Sequence, residues 1–180
     1  MQELMQLPHA PEKPEKATDP VEGVGGIQAV CFSEDGQLII SAARNTKSTI
    51  FIWRWRQQKL LFRADTKAGV PPQVYGVKWN TVEKADGTKT FDFASFGNKH
   101  INFWFKDKEN KQPDKYGESW SFEPGSFINK QDPAPGTGGI EVQDVMCVEF
   151  LANGNIVTGM ASGDIYLWKP PAEGAGMQCD

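Results

Sequence analysis

Histidine is almost missing from this chain: 180 residues contain two, His9 and His100. Little is therefore left to act as a general base near neutral pH. Cysteine is sparse as well. Cys31, Cys147 and Cys179 form an odd set without CxxC spacing and without a histidine close in sequence, which argues against a zinc site, a disulfide framework or a cysteine nucleophile. Cys31 and Cys147 lie inside apolar runs, where a thiol is expected to pack as a small buried hydrophobe, and a reducing cytosolic compartment is expected. Asp86, Asp92 and Asp107 do not have metal-ligand spacing, so neither metal nor cofactor is expected. No apolar run approaches the roughly 18 residues of a membrane span. The opening MQELMQLPHAPEKPEK lacks the basic start and apolar block of a secretory signal, so neither insertion nor secretion is expected. A net charge of −4, with both signs interspersed, gives no basic field to hold nucleic acid or anionic lipid.

Helical spacing is scarce too, and strand chemistry takes its place. Short runs of Val, Ile, Phe and Trp are separated by Asp-Gly, Asn-Gly and Ser-Gly turns. Residues 1–24 are rich in Pro, Glu and Lys, which bury too little apolar area to offset the entropy of ordering, and are expected to form an extended arm. Residues 25–169 hold the folded part, in three units at about 25–66, 70–124 and 140–169, and 170–180 reads as a flexible tail.

The units repeat one another, and self-similarity of this kind marks stacked structural modules. They read IQAVCFSEDGQLIISAARNTKSTIFIW, VYGVKWNTVEKADGTKTFDFASFGNKHINFW and VMCVEFLANGNIVTGMASGDIYLW. An aliphatic residue (Ile27, Val74, Val145) is followed three places on by Val30, Val77 or Val148, and two further on by Phe32, Trp79 or Phe150. Asp35-Gly36 and Asn153-Gly154 then place glycine where a tight hairpin needs positive φ; in the second unit the turn lengthens around Ala85-Asp86-Gly87. Second strands are expected at 38–41, 91–95 and 156–159. Third strands follow as TIFIW, HINFW and DIYLW, each ending in tryptophan: Trp53, Trp104 and Trp168. Fourth strands are expected at 60–63 and 119–122. None is expected after Trp168, because Pro170-Pro171 removes ladder donors.

This pattern resembles the WD repeat, whose four-stranded blade ends its third strand on Trp, over nearly all of the chain from Gly25 to Lys169. The fold it implies is all-β: WD40-type propeller blades, about three of them, making a partial propeller. ASFGNKHINFWF, then a charged insert with a lone Tyr116-Gly117, then VMCVEFLANGNIVTGMASGDIYLW, resembles more narrowly the echinoderm microtubule-associated-protein-like family. That resemblance implies a non-catalytic propeller that binds tubulin, on microtubules or the ciliary axoneme, in the cytoplasm; the alternative is a WD scaffold assembling a soluble complex. The chain departs from the repeat where Arg54, Phe105 and Lys169 replace the Asp after Trp. No Gly-His dipeptide opens a unit, so more weight is expected to fall on apolar packing. The family's apolar motif at the start of its propellers is not visible.

Blades are covered on both faces, so nearly continuous apolar strands such as IFIW and IYLW are expected, with Trp53, Trp104 and Trp168 wedged between blades. Propellers close with about four to eight blades. Three units leave two faces open, to be covered by the remaining blades of a longer parent or by partner subunits.

Two features could carry recognition. In the insert KDKENKQPDKYGESW, Lys106, Lys108, Lys111 and Lys115 alternate with acids; it is either a solvated loop or, as the resemblance implies, a contact for an acidic surface such as tubulin's. Arg54-Trp55-Arg56 follows the first tryptophan. Trp55 either packs on the sheet face it shares with Trp53 or stands exposed between arginines as a partner anchor. His100 opens a third strand and reads as a turn residue capping it. The glycine-rich 23–26 and 136–139 open onto strands, not helix N-termini, and read as loops rather than phosphate cradles.

Overall fold

The computed structural model describes Leu7 and residues 25–66, 73–83, 91–107, 116–125, 143–169 and 178–179. Lys108, Lys111, Lys115, His9, Asp86 and the 136–139 glycines lie outside the described residues. Three antiparallel sheets follow one another along the chain. The first comprises β1 (Ile27–Phe32), β2 (Leu38–Ala43), β3 (Thr49–Arg54) and β4 (Lys59–Asp65), in that spatial order. The second comprises β5 (Val74–Trp79), β6 (Phe93–Gly97), β7 (His100–Lys106) and β8 (Trp120–Pro124). The third comprises β9 (Val145–Phe150), β10 (Ile156–Met160), β11 (Ile165–Lys169) and β12 (Gln178–Cys179).

The repeat in sequence is a repeat in register. Trp53, Trp104 and Trp168 stand opposite Ile39, Phe93 and Ile156 on the neighbouring strand. Each first strand also slips register at the same place, around Gln28, Tyr75 and Met146. The expected turn glycines adopt the left-handed region, Gly36 at φ 62° and Gly154 at φ 82°, and each donates its N–H back across the turn, to Ser33 and Leu151.

Apolar clusters lie between the sheets. Ile40, Ala42, Ile50, Ile52 and Phe62 of the first meet Val74, Val77, Phe93, Trp104 and Trp120 of the second. Ala94, Phe96, Ile101 and Phe103 of the second meet Val145, Val148, Phe150, Ile156, Met160 and Trp168 of the third. Both faces of the second sheet's middle strands are therefore buried, which is why β6 and β7 read as continuous apolar runs rather than alternating ones. A third cluster, Ala43, Phe51 and Trp53 with Leu60, lies on the first sheet's far face, where Leu7 packs against it.

Two expectations need correction. The third sheet does have a fourth strand: Trp168 pairs with Cys179 and Lys169 with Gln178. Two residues suffice because the ladder is made by backbone groups, which leave no apolar pattern in the sequence. Cys147 is exposed, not buried. It sits on the face of the third sheet turned away from the second, so its apolar run has no neighbour to bury it. The chain leaves the third strand at Arg54 and makes a 3-10 turn over Trp55–Gln57, from which the Trp55 ring meets Phe32, a residue on the sheet face that carries Trp53.

Candidate interaction surface

One rim of the assembly is formed by the turns joining first to second strands and third to fourth. Trp55 is fixed there rather than free. Its indole N–H donates to the Gly36 carbonyl at 2.8 Å, and its ring meets Phe32 edge-on, 5.9 Å between centroids. The Arg56 guanidinium lies 5.1 Å from the same ring, on its face. Arg56 is exposed and Trp55 half-buried, so the arginine, not the indole, is what this turn offers to solvent.

The second sheet contributes to the same rim. Lys106 bonds Glu118 at 2.7 Å, and Arg54 of the first sheet approaches the same carboxylate at 4.0 Å. Glu118 thus ties two sheets and the far end of the charged insert together. The Lys106 ammonium also lies 5.2 Å from the Trp120 ring centroid, while the Lys106 backbone N–H and the Trp120 indole N–H both donate to Asp92, at 2.6 and 3.2 Å. Side chains of Arg54 and Lys106 remain 40% and 48% exposed, so each pair contributes about 0–1 kcal/mol and both cations stay available to a partner.

The opposite rim carries a polar cluster that the sequence did not reveal. Asp144, just before β9, accepts from the Tyr75 phenol at 2.7 Å and from the Lys99 N–H at 3.1 Å. The hydrogen bond to that carboxylate, followed by partial burial and the carboxylate's charge, raises the Tyr75 pKa above its ordinary value. His100 opens β7, with Nδ1 3.0 Å from the Asn98 carbonyl. Burial depresses its pKa; the Asn98 contact and the charge of Asp144 oppose that only in part. On the innermost strands Lys78 and Glu149 form a further bridge between second and third sheets, at 2.9 Å.

Inside the sheets, Trp104 donates its indole N–H to Ser95 and Trp168 to Thr158, each at 2.9 Å. A hydroxyl recurs at this register position, Ser41 in the first sheet, although its distance in sequence from the tryptophan differs because the intervening loops differ in length.

A sequence model described as "WD domain, G-beta repeat" matches residues 21–54. The chain also matches the crystal structure of the Myceliophteria thermophila Cps50 (Swd1) β-propeller domain, with a TM-score of 0.57 at 12% identity. The first sheet carries the WD repeat, and all three sheets have the fold of propeller blades. This match covers 95% of the chain and 48% of that propeller domain, so the chain spans about half its length. A chain in the crystal structure of the Mitotic Checkpoint Complex matches at 13% identity and a TM-score of 0.49, over 79% of this chain and 36% of that one. As blades, the sheets place β1, β5 and β9 innermost and put Arg54, Arg56 and Lys106 on one rim of the propeller. Among the described residues, no group of three or more His, Cys, Asp or Glu is placed to hold a metal ion, and no helix is long and apolar enough to cross a membrane.

Proposed function

We propose that this chain is a non-catalytic protein-binding section of a WD propeller, and that the rim carrying Arg54, Arg56 and Lys106 is its docking edge. One observation carries the proposal: cations from two successive blades converge on Glu118, which holds them side by side at the mouth of the charged insert. Residues presented from turns of a rigid scaffold are well placed for recognition. In sequence the insert adds Lys108, Lys111 and Lys115 beyond Lys106.

The finer proposal is that the partner is tubulin, on cytoplasmic microtubules or the axoneme. It rests on the resemblance to the echinoderm microtubule-associated-protein-like family, together with a cationic edge that suits a carboxylate-rich surface. Co-sedimentation of the 180-residue chain with microtubules tests it, alongside a variant with Lys106, Lys108, Lys111 and Lys115 all replaced by Glu. Salt-sensitive binding that weakens in a variant of unchanged melting temperature is the expected result. Equal binding by both proteins would remove the insert from the interface. No binding by either would leave the chain as a scaffold for a different protein complex.

A further inference from the structure

At the rim opposite the cationic edge, three buried polar side-chain atoms have no hydrogen-bonding partner among the described residues: Ser48 Oγ, Thr66 Oγ1 and His100 Nε2. Ser48 and Thr66 are each 1% exposed and His100 8%, and the three atoms themselves are closed to bulk water. A buried polar group without a partner has given up its hydration for nothing. That costs more than an ordinary hydrogen bond gains, and native structures leave few such groups. Three of them at one seam between two blades point to something that satisfies them together.

The strands bring them there. Thr49 pairs with Asp65, so Ser48, one residue before β3, and Thr66, one residue after β4, continue the same register. Alternation along β4 puts Thr66 on the face of Phe62 and Ala64, which pack toward the second blade. From the other side, alternation along β7 puts His100 and Asn102 on the face of Trp104, which packs toward the first blade. Asn102 makes the contact directly, its Nδ2 donating to the Thr66 carbonyl at 3.4 Å, and His100 is its neighbour on that face. Ser48 corresponds in the repeat to Lys99, whose N–H bonds Asp144 at the entrance of the following blade. The matching entrance for Ser48 is Gln73, whose carbonyl accepts from Asn98 in the turn before His100.

The chemistry of the three atoms is complementary to one small molecule. His100 Nδ1 lies 3.0 Å from the Asn98 carbonyl, which can only accept, so Nδ1 carries the proton and Nε2 of the neutral ring is a bare acceptor. Each hydroxyl can both donate and accept. We infer that the seam between the first and second blades holds one ordered water, which donates to His100 Nε2 and is bonded by the Ser48 and Thr66 hydroxyls. Three bonds are what a buried water typically makes. A metal ion would find one imidazole nitrogen and two neutral hydroxyls, a weaker set than the ligands such ions take. A side chain of a partner protein cannot reach atoms closed to solvent. The water pins two blades together as part of the fold, and it does not depend on what docks at the other rim.

Thr66→Val tests this through the sign of its effect, because it removes the hydroxyl with little change of shape. With the water in place the variant loses one of its three bonds. The urea midpoint of the 180-residue chain is then expected to fall, with a folding equilibrium constant roughly two- to tenfold smaller. With nothing bound there, the same substitution takes away an unpaired buried hydroxyl, and a midpoint that holds or rises would overturn the inference. A crystal structure of the wild-type chain, at a resolution that shows ordered water, reads the site directly. Density for a water within about 3.2 Å of both Thr66 Oγ1 and His100 Nε2 is the expected result. A hydroxyl bonded straight to the imidazole, or a seam without density between the two, would overturn it.

Discussion

Tyr75 and Asp144 stand 69 positions apart, yet the phenol of one donates to the carboxylate of the other at 2.7 Å, clasping the innermost strand of the second blade to the entrance of the third. Tyr75→Phe is expected to lower stability by about 0.5–1 kcal/mol, at the modest end because the site is open to water. The raised phenol pKa sets the sign at high pH: this contribution is fully present below the phenol's unperturbed value of 10.0 and is lost as pH rises from there through the raised folded-state value. Urea midpoints of wild type and Tyr75→Phe between neutral pH and pH of about 11 should therefore converge. Parallel curves would show that the hydrogen bond does not contribute.

His100 gives a pH dependence of the opposite kind. Its folded-state pKa lies below the ordinary 6.5, so the unfolded chain binds its proton first and stability falls as pH drops through 6.5 toward the depressed value. Melting temperature should decline between neutral pH and about pH 5.5, before most carboxylates titrate. His100→Gln should flatten that decline. An equally steep slope in the variant would locate the titrating group elsewhere.

The indole hydrogen bonds allow a cleaner test of interior polarity. Ser95→Ala removes the acceptor for Trp104 Nε1, and Thr158→Val removes that for Trp168 with little change of shape. Each leaves a buried N–H without its partner, so each should cost about 1–3 kcal/mol in denaturant unfolding. A loss below about 0.5 kcal/mol in both would show that other acceptors take over.

Gly97 is required for space rather than for φ. A Cβ there would overlap the Gln73 carbonyl and come within 2.7 Å of the Tyr75 nitrogen, both backbone atoms that cannot swing aside. Gly97→Ala should therefore destabilise by about 1–3 kcal/mol, measured by thermal melting. A neutral result would mean that the entry to β5 yields easily.

What the sequence made legible was whatever the repeat makes periodic. Trp53, Trp104 and Trp168 could be aligned without coordinates because each closes an apolar third strand, and their common register follows from that. The rest depends on things a linear pattern does not encode. β12 is two residues held by backbone pairing. Trp55 sits on a 3-10 turn because the strand ended one residue earlier than alternation implied, letting its indole reach the Gly36 carbonyl while its ring meets Phe32. Asp144 lies outside every strand, and its value to Tyr75 appears only once two blades are set at their mutual angle. For the candidate rim, the cations were visible as Arg54, Arg56 and Lys106, but Glu118, which gathers two of them, was one acid among several in a charged stretch.

The third-strand tryptophans of the second and third blades face backward, toward the blade made before: Trp104 meets Phe62 of the first blade at 6.0 Å, and Trp168 meets Phe103 of the second at 5.7 Å. Synthesis runs in the same direction, and domains generally fold from the N-terminus as they emerge. A nascent tryptophan thus reaches a surface that has already left the ribosome, and no completed blade has to wait for a later one to shelter its largest side chain. The growing edge on the ribosome is instead the forward face, with Phe62 in the first blade and Phe96 and Phe103 in the second, which each newly made blade covers in turn.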